Sequence, residues 1–108
     1  MTATTRYLLL IRVDEELAAG VTDTDPEPWV AAAGTHRLEG HQLRGPADAT
    51  LVRDAGTLVS DGPFAETKEQ IAGYDVLDWD GELADLVELA ARHPVARFGA
   101  IEIRPIRP

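Results

Sequence analysis

Histidine is the side chain whose charge changes near neutral pH, so His36, His41 and His93 are this chain's candidates for moving a proton. His36 and His41 lie five apart with Gly40 between them, so they do not share the helix face that a metal-binding pair at four-residue spacing would use. Either one reads as a proton shuttle or, more plainly, as an exposed residue at the end of a helix. His93 directly precedes Pro94 and reads as the C-terminal residue of a helix, where a cation suits the dipole. Asp61 opens an Asp-Gly-Pro turn; it is the carboxylate that would accompany a histidine as general base or ligand anchor, with an ordinary turn as the plainer reading. Arg53 would anchor an anion if its strand face turns inward. Phe64 and Glu69 are the ligand-contacting candidates beside it, against the plainer readings of an apolar plug and a surface ion pair.

Several chemistries have no support. The chain has no cysteine, which removes disulfides, thiolate metal sites and a thiol nucleophile. It has no His-x-x-x-His pair and no Asp-rich calcium loop, so no metal is expected. Gly34, Gly40 and Gly45 do not form a phosphate cradle, Ser60 has no histidine beside it in sequence, and no cofactor is implied. Acidic residues outnumber basic ones 19 to 10, a net charge of −9, which disfavours nucleic acid and anionic membrane surfaces as partners. The N-terminus lacks the charged region and cleavage site of a signal peptide, and no apolar run approaches the roughly 20 residues that span a bilayer, so a cytoplasmic protein is expected. With 108 residues, 44% of them hydrophobic, residues 1–108 are expected to form one domain with its own core.

The elements that must position these residues follow from periodicity. Tyr7 to Val13 is apolar on both alternating faces and predicts a strand covered on both sides. Asp25 and Pro26 start a helix carrying Val30, Gly34 and Leu38 along one face to Gly40, with a break at Gly34 as the alternative. Ala49–Asp54 and Thr57–Ser60 predict a hairpin around Ala55-Gly56. Residues 61–72 read as a turn and a short helix ended by Gly73, and Tyr74–Trp79 as a strand. Asp80 is expected to cap a helix with Leu83, Leu86, Val87 and Ala90 on one face, followed by a strand over Phe98–Ile103. This order is a ferredoxin-like α+β plan with helices on one face of an antiparallel sheet. The other face carries leucine, tyrosine and valine, and a homodimer with its sheets face to face would cover it.

The nine residues Asp61-Gly62-Pro63-Phe64-Ala65-Glu66-Thr67-Lys68-Glu69 are the most distinctive stretch. Together with Arg6–Ile11, Asp48–Arg53, Ile71–Val76 and His93–Pro105, they make the chain resemble the YCII-related superfamily, in the branch named for the Asp-Gly-Pro-Phe motif. The resemblance covers nearly the whole chain. It implies a dimeric α+β barrel around a central space, and genes often placed beside, or fused to, extracytoplasmic-function sigma factors. It also implies, for part of the superfamily, a His–Asp acid/base pair, and for one group dehydrohalogenation of an aromatic ring. That pair draws on a first-helix histidine followed by leucine; here His36 is followed by Arg37, and His41 lies beyond Gly40. Two functions are therefore expected as alternatives. One is a cofactor-free acid/base enzyme, of isomerase or lyase type, acting on a small metabolite through His41 or His36 with Asp61. The other is a non-catalytic ligand-sensing or accessory protein of a sigma-factor pathway.

Overall fold

The computed structural model describes residues 3–22, 24–61 and 69–108; of Glu15 and of residues 58–61 it describes the backbone alone. Strand β1 (Thr5–Asp14) is followed by a single helical turn, α1 (Glu15–Ala18), and then by helix α2 (Glu27–Ala33). Strand β2 (Arg37–Gln42) and a hairpin of β3 (Thr50–Arg53) and β4 (Leu58–Asp61) come next. Strand β5 (Glu69–Trp79), helix α3 (Leu83–Ala91) and strand β6 (Ala100–Pro105) complete the order. Four strands form one antiparallel sheet in the order β2-β5-β1-β6, and β3-β4 form a separate two-stranded sheet. The architecture is α+β, with the long strands β1 and β5 at the centre.

β1 supplies the middle of the core. Leu9 and Ile11 point to the helical side and are buried, opposite Asp75 and Gly73 of β5. Leu8 and Leu10 point the other way and stay half-buried, opposite Val76 and Tyr74. The two-sided apolar pattern thus gives one face covered by helices and one open face. Trp29 and Ala33 of α2, with Leu86, Leu89 and Ala90 of α3, close the core over Leu9 and Leu77. Burying each of the larger side chains contributes about 1.5–3 kcal/mol. Trp29 also donates its indole N–H to the Leu89 carbonyl at 2.8 Å, which ties the two helices together and satisfies the buried donor.

Several local expectations are corrected. The helix begun at Pro26 does not reach Gly40. It ends at Gly34, whose φ of 58° is the left-handed conformation that glycine adopts without penalty, and the polar run Arg37–Gln42 then becomes an edge strand. The helix expected to end at Gly73 is absent over its described part: residues 69–72 are the start of β5, because pairing of Glu69, Gln70 and Ile71 with Asp14, Val13 and Arg12 of β1 overrides their helical propensity. Residues 62–68, and with them Phe64 and most of the Asp-Gly-Pro-Phe motif, lie outside the described residues. The cap of α3 is Glu82 rather than Asp80, and its buried face is Leu86, Leu89 and Ala90, with Leu83 and Val87 exposed. His93 lies just beyond α3, where Pro94 starts a short 3-10 turn, and is buried. The hairpin, the strand over Tyr74–Trp79 and the helix stand where the pattern placed them, and the last strand runs over Ala100–Pro105, starting two residues after Phe98. Helix α2 starts one residue later than expected, at Glu27 with Pro26 as N-cap, and Asp25 just before it accepts the Glu27 N–H at 3.0 Å.

Candidate functional site

A cavity of about 720 Å³ lies between the helical face of the sheet and the segment that runs from α1 through α2. That volume is within the roughly 300–1,000 Å³ of small-molecule sites. Ile11, Val13, Trp29, Val30, Val95 and Phe98 give it apolar walls, and among the described residues Arg37, Asp75, His93, Glu27, His41 and Tyr74 are its ionisable lining. Leu43 and His41 sit on its exposed rim.

Asp75 is the anomaly that marks the site. It occupies an inward position of β5, between buried Gly73 and buried Leu77, and is 6% exposed. A carboxylate there needs a partner, since its desolvation is otherwise uncompensated. Arg37, the first residue of β2, donates from Nε to Asp75 Oδ1 at 2.7 Å. The register makes room for this pair. Gly40 stands opposite Asp75, and a Cβ there would collide with Asp75 Oδ1 and the Arg37 guanidinium.

His93 faces the same cavity from the other side. Its Nδ1 accepts the Val95 N–H at 3.1 Å, so in the neutral ring the hydrogen is on Nε2. Burial pushes its pKa below the ordinary 6.5, with the charge of Asp75 partly offsetting that shift. A proton on Nδ1 would also set donor against donor at Val95. Both effects hold His93 neutral at neutral pH. Trp29 stands edge-on to its ring with centroids 5.0 Å apart, fixing the ring plane. Among the described residues no group takes the Nε2 hydrogen, and no buried side-chain nitrogen or oxygen lacks a partner. Nε2 therefore keeps access to open space, and the cavity that His93 lines is that space. The same reasoning leaves the second oxygen of Asp75 accessible. The site thus presents a neutral N–H donor, a carboxylate acceptor and the guanidinium that holds the carboxylate.

The residues singled out from sequence are dispersed. His41, on β2 opposite Tyr74, reaches this cavity but is 66% exposed, with Nε2 3.9 Å from a Glu39 carboxylate oxygen. His36 does not line it; its Nδ1 lies 3.2 Å from the Asp78 carbonyl and its ring packs beside Trp79. Asp61 ends β4 opposite Thr50, in the separate hairpin, and its side chain is outside the described residues, as is Phe64. Arg53 is exposed on β3. Glu69 borders another hollow of about 620 Å³, where Arg12 pairs with Glu102 and Arg44 with Asp48. A third hollow of about 310 Å³, between α3 and β6, has no ionisable lining among the described residues. Among the described residues no three histidine or carboxylate side chains gather as metal ligands would, and no helix is long and apolar enough to cross a membrane.

Sequence reasoning passed over Asp75 and Arg37 and read His93 as a helix end. One signal was present. Asp75 is a charged residue at the inward phase of an alternating strand, between Gly73 and Leu77, and a charge in that phase demands a partner.

Comparison with known proteins places the chain. It is 44% identical over 64 residues to an uncharacterised protein of Rhizobium meliloti (strain 1021); the match takes in 56% of this chain and 50% of that protein, so the chain spans about half the length of this curated relative. The YCII-related domain matches residues 6–108, from the second residue of β1 to the C-terminal proline. The chain belongs to the YCII-related domain family.

Proposed function

We propose that this protein binds a small molecule in the Asp75–His93 cavity and catalyses proton transfer on it without a cofactor, as an isomerase or lyase. The observation that carries the reading is that buried His93, its Nδ1 engaged by the Val95 N–H, lines the same cavity as the Arg37–Asp75 pair. In the step envisaged, a C–H bond next to a carbonyl breaks and its proton passes to the accessible oxygen of Asp75. The electron pair moves onto the carbonyl oxygen, which the His93 Nε2–H holds as charge develops; a neutral imidazole is suited to that task. In a substrate with a conjugated double bond, return of the proton to the far end of the dienolate gives an isomer; loss of a leaving group from the carbon beside the deprotonated one gives a lyase product. Arg37 fixes the carboxylate. His41 on the rim remains a candidate shuttle to solvent, while Asp61, Arg53, Phe64 and Glu69 belong to this proposal only through the family motif and the hairpin.

The test is a fragment screen by NMR, reading the Trp29 indole and the His93 ring, followed by solvent-deuterium incorporation into the hits. Exchange that is lost in both Asp75→Asn and His93→Gln supports the reading. Ligands that map elsewhere, or exchange unaffected by either change, sink it.

The same proposal includes membership of the Asp-Gly-Pro-Phe branch, supported by residues 61–69, a cytoplasmic location, and a homodimer. The dimer is supported by the open sheet face, where Leu8 and Leu10 of β1 oppose Val76 and Tyr74 of β5 between the ion pairs Arg6–Asp78 and Arg12–Glu102. Light scattering at micromolar concentration that gives about the 11.7 kDa of one chain would refute it. A ligand-sensing role in an extracytoplasmic-function sigma-factor pathway is the second reading, supported by the same cavity if binding occurs without turnover. Affinity capture that returns no sigma factor or regulator counts against it.

A further inference from the structure

The charges around the cavity say what kind of molecule fits it, given the reading of the cavity as a small-molecule site. Among the described residues its lining holds a single arginine against two carboxylates, Asp75 and Glu27. Arg37 is already spent on Asp75 at 2.7 Å, so its charge is cancelled where it stands. Among the described residues an anionic ligand would meet no unpaired cation in the lining, and it would approach through the field of a chain with net charge −9. A cationic ligand would find the Asp75 carboxylate already paired with Arg37 and Glu27 exposed to screening water, and it offers no acceptor to the His93 N–H. What remains complementary is a hydrogen-bond acceptor for His93 Nε2, a hydrogen for the Asp75 oxygen, and an apolar body for walls such as Trp29 and Phe98.

We infer that the cavity takes an uncharged carbonyl compound bearing a hydroxyl or an acidic C–H on the neighbouring carbon, and rejects carboxylates and phosphates. Selection works by exclusion: the internal ion pair leaves an anion with desolvation and no compensating charge. Asp75 therefore determines specificity as well as supplying the acceptor.

Two probes of matched ring size test this: cyclohexane-1,2-dione, whose enol places a hydroxyl beside the carbonyl, and cyclohexanecarboxylate. Binding near neutral pH is followed by calorimetry and by the His93 ring resonances. The dione is expected to bind at least about tenfold more tightly. In Asp75→Asn the preference reverses, because Arg37 is left unopposed and becomes an anion site. Glu27→Gln, at the exposed start of α2, gives the same trend more weakly and serves if Asp75→Asn does not fold. Two results overturn the inference while the site reading stands: the carboxylate binding wild type as tightly as the dione with the His93 resonances moving, or carboxylate affinity unmoved in the folded variants. If neither probe binds at millimolar concentration nor moves His93, the inference and the reading of the cavity fail together.

Discussion

His93 and His41 line one cavity from opposite sides, and they differ in everything that gives a histidine a task. His93 is buried, its Nδ1 is committed to the Val95 N–H, its ring plane is held by Trp29, and Asp75 acts on its charge. His41 stands on an edge strand with two-thirds of its side chain in solvent, near Glu39 and Tyr74. Water screens the second environment and has little access to the first, so one imidazole is held by its protein neighbours and the other stands in solvent. Preorganisation, rather than the presence of a titratable ring, separates a candidate catalytic group from a surface residue.

Removing the support of His93 should have the largest effect. Trp29→Ala deletes a buried ring, the bond to Leu89 and the wall of the cavity, and is expected to cost about 3–5 kcal/mol of folding stability in denaturant titration. Gly40→Ala places a methyl against the Asp75 carboxylate and the Arg37 guanidinium. It should cost about 1–3 kcal/mol and, by displacing Asp75, move the His93 titration as well. An NMR titration of Gly40→Ala with His93 unmoved would break the link drawn between the two strands.

The pH dependence sharpens the contrast further. The folded pKa of His93 lies below its unfolded value near 6.5. As pH falls through 6.5 the unfolded chain takes up this proton first, and the folded chain only lower down. The contribution is therefore fully present above about pH 6.5 and declines below it. Thermal melts of His93→Gln should lack that part of the acid decline, whereas His41→Gln should keep it. Because the Asp75 charge raises the His93 pKa, Asp75→Asn should lower the His93 titration midpoint further. A midpoint that rises instead would mean that the two groups do not interact as described. The smallest effect belongs to His41→Ala, within about 0.5 kcal/mol of wild-type stability.

The central strands, α3 and β6 were legible because each buries one periodic face: Leu9 and Ile11, Leu77, Leu86 and Ala90, and Ile101 with Ile103 all recur at the spacing of their element. β2 was not legible. Arg37-Leu38-Glu39-Gly40-His41-Gln42 is a polar edge strand with one apolar side chain, and the helical spacing of Val30, Gly34 and Leu38 runs across the point where Gly34 turns the chain. Glu69–Ala72 favours a helix locally and is a strand only because β1 lies beside it. The site followed the same rule. His93 and Asp75 are 18 residues apart and Arg37 is 38 from Asp75, so only the sheet register brings them together. The cavity's chemistry is non-local, and periodicity reports local order.

The chain has two tryptophans, and each indole lies against a histidine: Trp29 against His93, and Trp79 against His36 with centroids 4.8 Å apart. Trp29 is buried and Trp79 partly exposed, so their emission separates by colour, the buried one to the blue. A protonated imidazole quenches a neighbouring indole more strongly than a neutral one. The packing that holds His93 in place therefore makes the protein its own optical probe, the blue emission reporting the state of the cavity and the red emission the open end of the sheet.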